Sequence, residues 1–134
     1  MVFNLDTRRY LARAPKSALR WHERLFGMIG RRFDVSCDAM VFPHCHAVHT
    51  FFMGIVLDLV FLDAEGTVVH LVPSAGRFRP WFGCRRAATV IELPEGRIAA
   101  SGTEVGHRIN LNMNLTAEAI AKLRCGGILW DDGL

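Results

Sequence analysis

The sequence predicts a mainly β fold, an antiparallel β-sandwich or partly open barrel, with an N-terminal amphipathic helix and short peripheral helices. Three observations predict it: short apolar runs recur with turn residues between them, strands do not alternate regularly with long helices, and residues 56–72 carry a hairpin pattern. At 134 residues and 51% hydrophobic, the chain has the size to bury a core of its own, so one domain spanning residues 1–134 is expected.

Residues 15–29 read as the amphipathic helix. Leu19, Leu25, Phe26, Met28 and Ile29 cluster on one side at helical spacing, Pro15 suits a first turn and Gly30 suits a C-terminal cap. Residues 37–42, ending at Pro43, and residues 50–53 are apolar runs read as strands. The hairpin follows, with VLDLVFL at 56–62 and TVVHLV at 67–72 flanking Asp63-Ala64-Glu65-Gly66, where Gly66 is available for a positive φ. Residues 73–86, rich in Pro, Gly, Arg and aromatics, read as a loop, and residues 87–93 as a strand closed by Pro94-Glu95-Gly96. A short helix at 97–101, a turn at Gly102, a strand at 107–113 and a last helix capped by Thr116 and stopped by Cys125-Gly126-Gly127 complete the reading.

No secretory signal is visible at the N-terminus, which has arginines but neither an apolar stretch nor a small-residue cleavage site. The most apolar segment, residues 47–62, is interrupted by His49, Thr50 and Asp58 and falls short of the ~20 residues that span a bilayer. No membrane span is expected. Cys37, Cys45, Cys84 and Cys125 form no C-x-x-C pair, which fits reduced thiols and a cytoplasmic location. The net charge of +3 is concentrated near the N-terminus, where Arg8, Arg9, Arg13, Lys16, Arg20, Arg24, Arg31 and Arg32 face only Asp6 and Glu23 within the stretch. Composition of the genome accounts for such an arginine excess as well as function does.

Asp58 is the most informative residue. In a strand it shares a face with Val56 and Val60, opposite Leu57, Leu59 and Phe61, so its neighbours are apolar on either side. An unpaired charge there costs several kcal/mol, and a partner is required: His49, an arginine of residues 24–32, or backbone amides. The ordinary reading is an anchor pinning the strand to a helix or loop; the alternative is a site carboxylate. Glu92 shares a strand face with Ala88 and Val90, and with Asp58 in one cleft it would make a general acid/base pair. A glutamate at a strand end before Pro-Gly is more often solvated or holds the turn.

His44, Cys45, His46 and His49 offer the imidazole and thiolate ligands that zinc or copper prefers, with Cys37 or Cys84 as a distant addition. In an extended chain His44 and His46 point one way and Cys45 the other, so shared ligation needs a turn at Pro43. The bland reading is a loop histidine cluster, and no metal is expected. Arg77, Arg79, Trp81 and Arg85 belong to a segment that interleaves cations with aromatics, a combination that grips phosphates or stacks on bases. Packed as a lid, the same aromatics cover the sheet while the arginines reach water. A Gly-rich phosphate loop, the Rossmann glycine pattern, G-x-S-x-G and H-E-x-x-H are all absent from the sequence.

Gly27-Met28-Ile29-Gly30-Arg31, Asp38-Ala39-Met40-Val41-Phe42, His49-Thr50-Phe51-Phe52-Met53, residues 57–63, Gly66, Val68-Val69, residues 91–96 and Val105-Gly106, in that order and spacing, resemble domain-of-unknown-function family 192 (DUF192). The resemblance covers about residues 24–111, leaving 112–134 as a C-terminal helix and tail. It implies a mainly β, sandwich-like fold with no assigned activity, and some members look like accessories to pilus or secretion machinery. The chain departs from the family at Gly27-Met28-Ile29, where Gly-Leu-Met is usual, and at Gly106-His107, where Gly-Asp is usual.

The expectation is therefore a non-enzymatic binding or accessory domain presenting residues 43–49 and 73–86 to a protein partner or small anionic ligand. One alternative is a small metal protein or hydrolase-like enzyme using His49 and Asp58, with zinc as the metal; another is a nucleic-acid binder acting through the Arg/aromatic loop.

Overall fold

A computed structural model of the chain describes residues 1–17, 33, 37–48, 56–76 and 82–111. Along these run β1 (Val2–Asn4), β2 (Arg9–Ala12), β3 (Pro15–Ser17), β4 (Ala39–Pro43), β5 (Ala47–Val48), β6 (Leu57–Leu62), β7 (Val68–Ala75), β8 (Phe82–Gly83), β9 (Thr89–Pro94), α1 (Arg97–Ser101) and β10 (Ile109–Leu111). A five-stranded sheet is ordered β3-β4-β9-β6-β7, a three-stranded sheet β10-β1-β2, and β5 pairs with β8. The fold is mainly β. Among the described residues no helix is long and apolar enough to cross a membrane.

The period of two decides where the core sits. Every residue of β6 is buried, because the strand lies between β9 and β7 with apolar side chains packed on both faces. On one face Val60 and Leu62, with Val41, Ile91 and Leu93, meet Val2, Leu11 and Ile109 of the small sheet and Ile98 of α1. On the other, Leu57, Leu59 and Phe61 pack with Met40, Phe42 and Val90, and half-buried Cys37, Cys45 and Cys84 lie against them. Each fully buried Leu or Phe contributes about 1.5–3 kcal/mol.

The expected hairpin is β6–β7. Asp63 builds its turn, its Oδ1 accepting the Glu65 and Thr67 N–H groups at 3.0 and 2.9 Å. Gly66 sits at φ +83°, and its carbonyl accepts the Ile109 N–H at 2.9 Å, which docks the turn onto β10 and so onto the small sheet. β7 continues to Ala75, past the end predicted at residue 72, because it is an edge strand on which Pro73 forfeits no ladder bond.

The N-terminal region differs from expectation. β1 and β2 occupy a stretch where the sequence predicts no element. Pro15–Ser17, expected to open a helix, is instead strand β3, paired in parallel with Ala39–Val41 of β4, so the large sheet is mixed and not wholly antiparallel. The Asp38 carboxylate fixes this: Oδ2 accepts the Arg13 N–H at 2.8 Å and Oδ1 the Ala14 N–H at 2.7 Å, holding the chain extended as it enters β3. The rest of the predicted helix, the strand at 50–53 and the helix after Thr116 lie outside the described residues.

A Cβ on Gly66 would lie 2.9 Å from the Ile109 carbonyl oxygen, at a φ that L side chains rarely adopt. Gly66→Ala is therefore expected to lower stability by about 1–3 kcal/mol in urea unfolding, and an unchanged midpoint would contradict the close approach.

Candidate functional site

Asp58 is 1% exposed, on the face of β6 that meets the small sheet, directly opposite Leu93 of β9. Its partners are backbone amides. Oδ1 accepts the Ser74 N–H at 2.9 Å, and Oδ2 accepts the N–H groups of Gly96 at 3.1 Å and Ile98 at 2.8 Å. A bulge makes the first bond available: Leu57 and Leu59 pair with Ala75 and Val72, so β7 carries one residue too many, and Ser74 takes φ +53°. Gly96, the N-cap of α1 at φ +94°, has no side chain to cap the helix, and Asp58 supplies the acceptor from another strand. A five-residue helix cannot sustain itself. α1 is held by this carboxylate, by Ile98 in the core, and by Arg97, which donates to the Leu11 and Tyr10 carbonyls of β2 at 3.0 and 2.7 Å.

Glu92 is 1% exposed in the middle of the large sheet, flanked on its face by Met40 of β4 and Leu59 of β6. This corrects the expectation of a solvated or turn-holding glutamate: β9 runs on through Pro94, which places Glu92 inside the strand. Its Oε2 is buried with no hydrogen-bond partner among the described residues. Burial pushes the carboxyl up to about 8, so at neutral pH it is mostly protonated. Glu92 points to the opposite side of the sheet from Asp58, since residues paired with Asp58 and with Leu59 alternate faces. The acid pair in one cleft is excluded by this geometry.

The two loops singled out by composition do meet. β5 pairs with β8, Cys84 N–H donates to the His46 carbonyl at 2.8 Å, and Cys45 N–H donates to the Ala88 carbonyl at 3.0 Å. His44 turns the chain at φ +54° after Pro43, leaving His44 and His46 exposed and Cys45 half-buried. Arg85 and Arg86 are exposed in the turn that follows β8. Among the described residues no three His, Cys, Asp or Glu side chains gather as a metal site requires. His49, Arg77, Arg79 and Trp81 lie outside the described residues.

Sequence reasoning missed a polar cluster under the small sheet. Asn4 is fully buried, and its Oδ1 accepts the Asp6 and Thr7 N–H groups at 2.9 and 3.0 Å, so its Nδ2 donates to Thr103 Oγ1 at 3.0 Å and faces His107 Nδ1 at 3.2 Å. Glu104 N–H also points at that Nδ1, at 3.2 Å. With two donors aimed at it, Nδ1 accepts and the ring proton sits on Nε2. An Asp carboxylate, the residue the resemblance implies at this position, would accept from the same donors. The Asn-Leu-Asp-Thr run at 4–7, an Asx-turn pattern, was the available signal.

The family model of DUF192, described as "Uncharacterized ACR, COG1430", matches residues 7–111, more than half of the chain. The chain belongs to this family. DUF192 here extends upstream of residue 24, where the resemblance in the sequence begins, to take in β2 and β3. Two crystal structures share its fold. One, a protein of unknown function from Novosphingobium aromaticivorans, is 18% identical with a TM-score of 0.63, covering 72% of this chain and 74% of that one. The other, described as a "putative transcription regulator" from Sinorhizobium meliloti, is 22% identical with a TM-score of 0.64, covering 72% and 79%. No curated protein matches the chain.

A folded carboxyl at about 8 against an ordinary value of 4.5 means that the native state holds a proton the unfolded chain releases between those values. Stability is thus full below about pH 4.5 and falls as pH rises to 8, by up to about 1.4 kcal/mol per pH unit. Glu92→Gln, which cannot ionise, is expected to flatten that slope. Parallel urea midpoints at pH 5 and 8 check it, and identical slopes in the two proteins would refute the assignment.

Proposed function

We propose that this DUF192 chain is a non-enzymatic binding module whose paired loops, residues 43–48 and 82–86, present His44, His46, Arg85 and Arg86 to an anionic ligand or an acidic partner. The observation that carries the reading is the β5–β8 ladder, which draws these segments, distant in sequence, into one surface edge with four exposed basic side chains. Arg77, Arg79 and Trp81 precede β8 in the same segment and extend the cationic, aromatic character. The placement of the acids supports it too. Asp58 spends its lone pairs on three amides, and Glu92 is sealed between Met40 and Leu59 on the far side. Loops held on a rigid sheet are where such scaffolds carry recognition.

Immobilised heparin serves as the anionic probe. Arg85→Glu is expected to elute at clearly lower salt than the parent, whereas Arg108→Glu, the same change in charge outside these loops, shifts less. Equal shifts in the two variants would show that net charge, and not these loops, governs retention.

A further inference from the structure

The outer face of the small sheet carries a second cluster. Phe3 of β1 pairs with Tyr10 of β2 and Asn110 of β10, so the three side chains share the face opposite buried Val2 and Asn4. The Phe3 and Tyr10 rings meet edge to face at 4.9 Å, and both are half-buried. Arg13 lies over the Tyr10 ring, its guanidinium carbon 4.6 Å from the centroid. In a regular strand residues three apart face opposite ways. Here the bulge in the β1–β2 register buries both Leu11 and Ala12, and Tyr10 and Arg13 come out on the same side. The bulge thus builds a stacked cation–aromatic pair out of a sequence spacing that would separate them.

Met1, Phe3, Tyr10 and Asn110 line an open cavity of about 180 Å³. That is smaller than the ~300 Å³ or more typical of pockets that enclose a whole small molecule. It is of a size to take one flat ring, with the rest of the ligand outside. Each wall has a matching chemistry: aromatic faces stack on a base, the Asn110 amide can pair with a base edge, and the Arg13 guanidinium meets a phosphate. Arg8 is exposed and Lys16 half-buried in the same stretch, while Arg9 faces the other way and donates to the Ala100 carbonyl at 3.2 Å; against them stand the Asp6 carboxylate, which accepts the Arg108 N–H, and Asp38, which holds the Arg13 and Ala14 amides. Cations spread along a stretch fit a polyanionic strand better than one compact phosphate.

The geometry points to a binding site for single-stranded nucleic acid on the outer face of the small sheet, one base stacking on the Tyr10 ring beside Phe3 and its backbone phosphate meeting Arg13. This surface is separate from the β5–β8 loops and does not depend on them.

The test is fluorescence anisotropy of labelled single-stranded 12-mers, DNA and RNA, at low salt. Tyr10→Leu, which keeps an apolar side chain but loses the ring, is expected to weaken binding about fivefold or more. Tyr10→Phe is expected to bind like the parent and Arg13→Gln to weaken binding. No strand binding, or an unchanged affinity in Tyr10→Leu, overturns the proposal. So does competition by AMP as effective per molecule as by the strand, which would mark a mononucleotide site. Should Tyr10→Leu fail to fold, the parent protein still decides. Tyr10 is the sole tyrosine, so its ring resonances are unambiguous, and they must move upfield on titration with the strand; a ring that does not shift refutes stacking.

Discussion

One buried carboxylate, satisfied entirely by backbone, ties three parts of this molecule together. Asp58 sits in a fully buried strand, where an unpaired charge would cost several kcal/mol, and it meets that cost with three amides drawn from the end of β7 and the turn into α1. The dependence runs both ways. The bulge at Ser74 and the left-handed Gly96 are irregular backbone that a ladder would not hold, and the carboxylate gives their N–H groups an acceptor. α1, fixed in turn, closes the core with Ile98 and reaches β2 through Arg97.

Glu92 shows the converse. It lies on β9, the strand next to that of Asp58, yet on the other face, and no side chain among the described residues donates to its Oε2. With no amide aimed at it, desolvation wins and the proton stays. Two buried acids within one sheet therefore have opposite surroundings, one met by three backbone amides and one by apolar side chains, and the difference is supplied by backbone irregularity. β9 is regular at Glu92; β7 is bulged beside Asp58.

The hairpin was legible because its information is local: two runs of period-two apolar residues and an Asp-x-x-Gly turn, all within 17 residues of sequence. The strands at β1, β2 and β3 were not, because they are three or four residues long and their pairing is remote, β1 with β10 and β3 with β4. Pro15 illustrates the ambiguity, since it starts a helix as readily as it enters an edge strand. Asp58's apolar surroundings could be read from alternation alone; its partners could be narrowed only to three kinds, backbone amides among them, because main-chain amides leave no mark in a sequence. The depth of Glu92 was hidden by Pro94-Glu95-Gly96, which looks like the end of a strand and begins two residues after it. At the loops, composition marked two separate segments, and only the fold could bring parts of them side by side.

The most direct measurement is amide hydrogen exchange on Asp58→Asn. Replacing one acceptor oxygen with an NH₂ sets donor against donor, and the account predicts that protection is lost first at Ser74, Gly96 and Ile98 while Val60 and Ile91, in the sheet centre, exchange slowly as before. Unchanged protection at those three amides, or uniform loss across the whole sheet, would contradict the claim that this carboxylate holds the two segments in place.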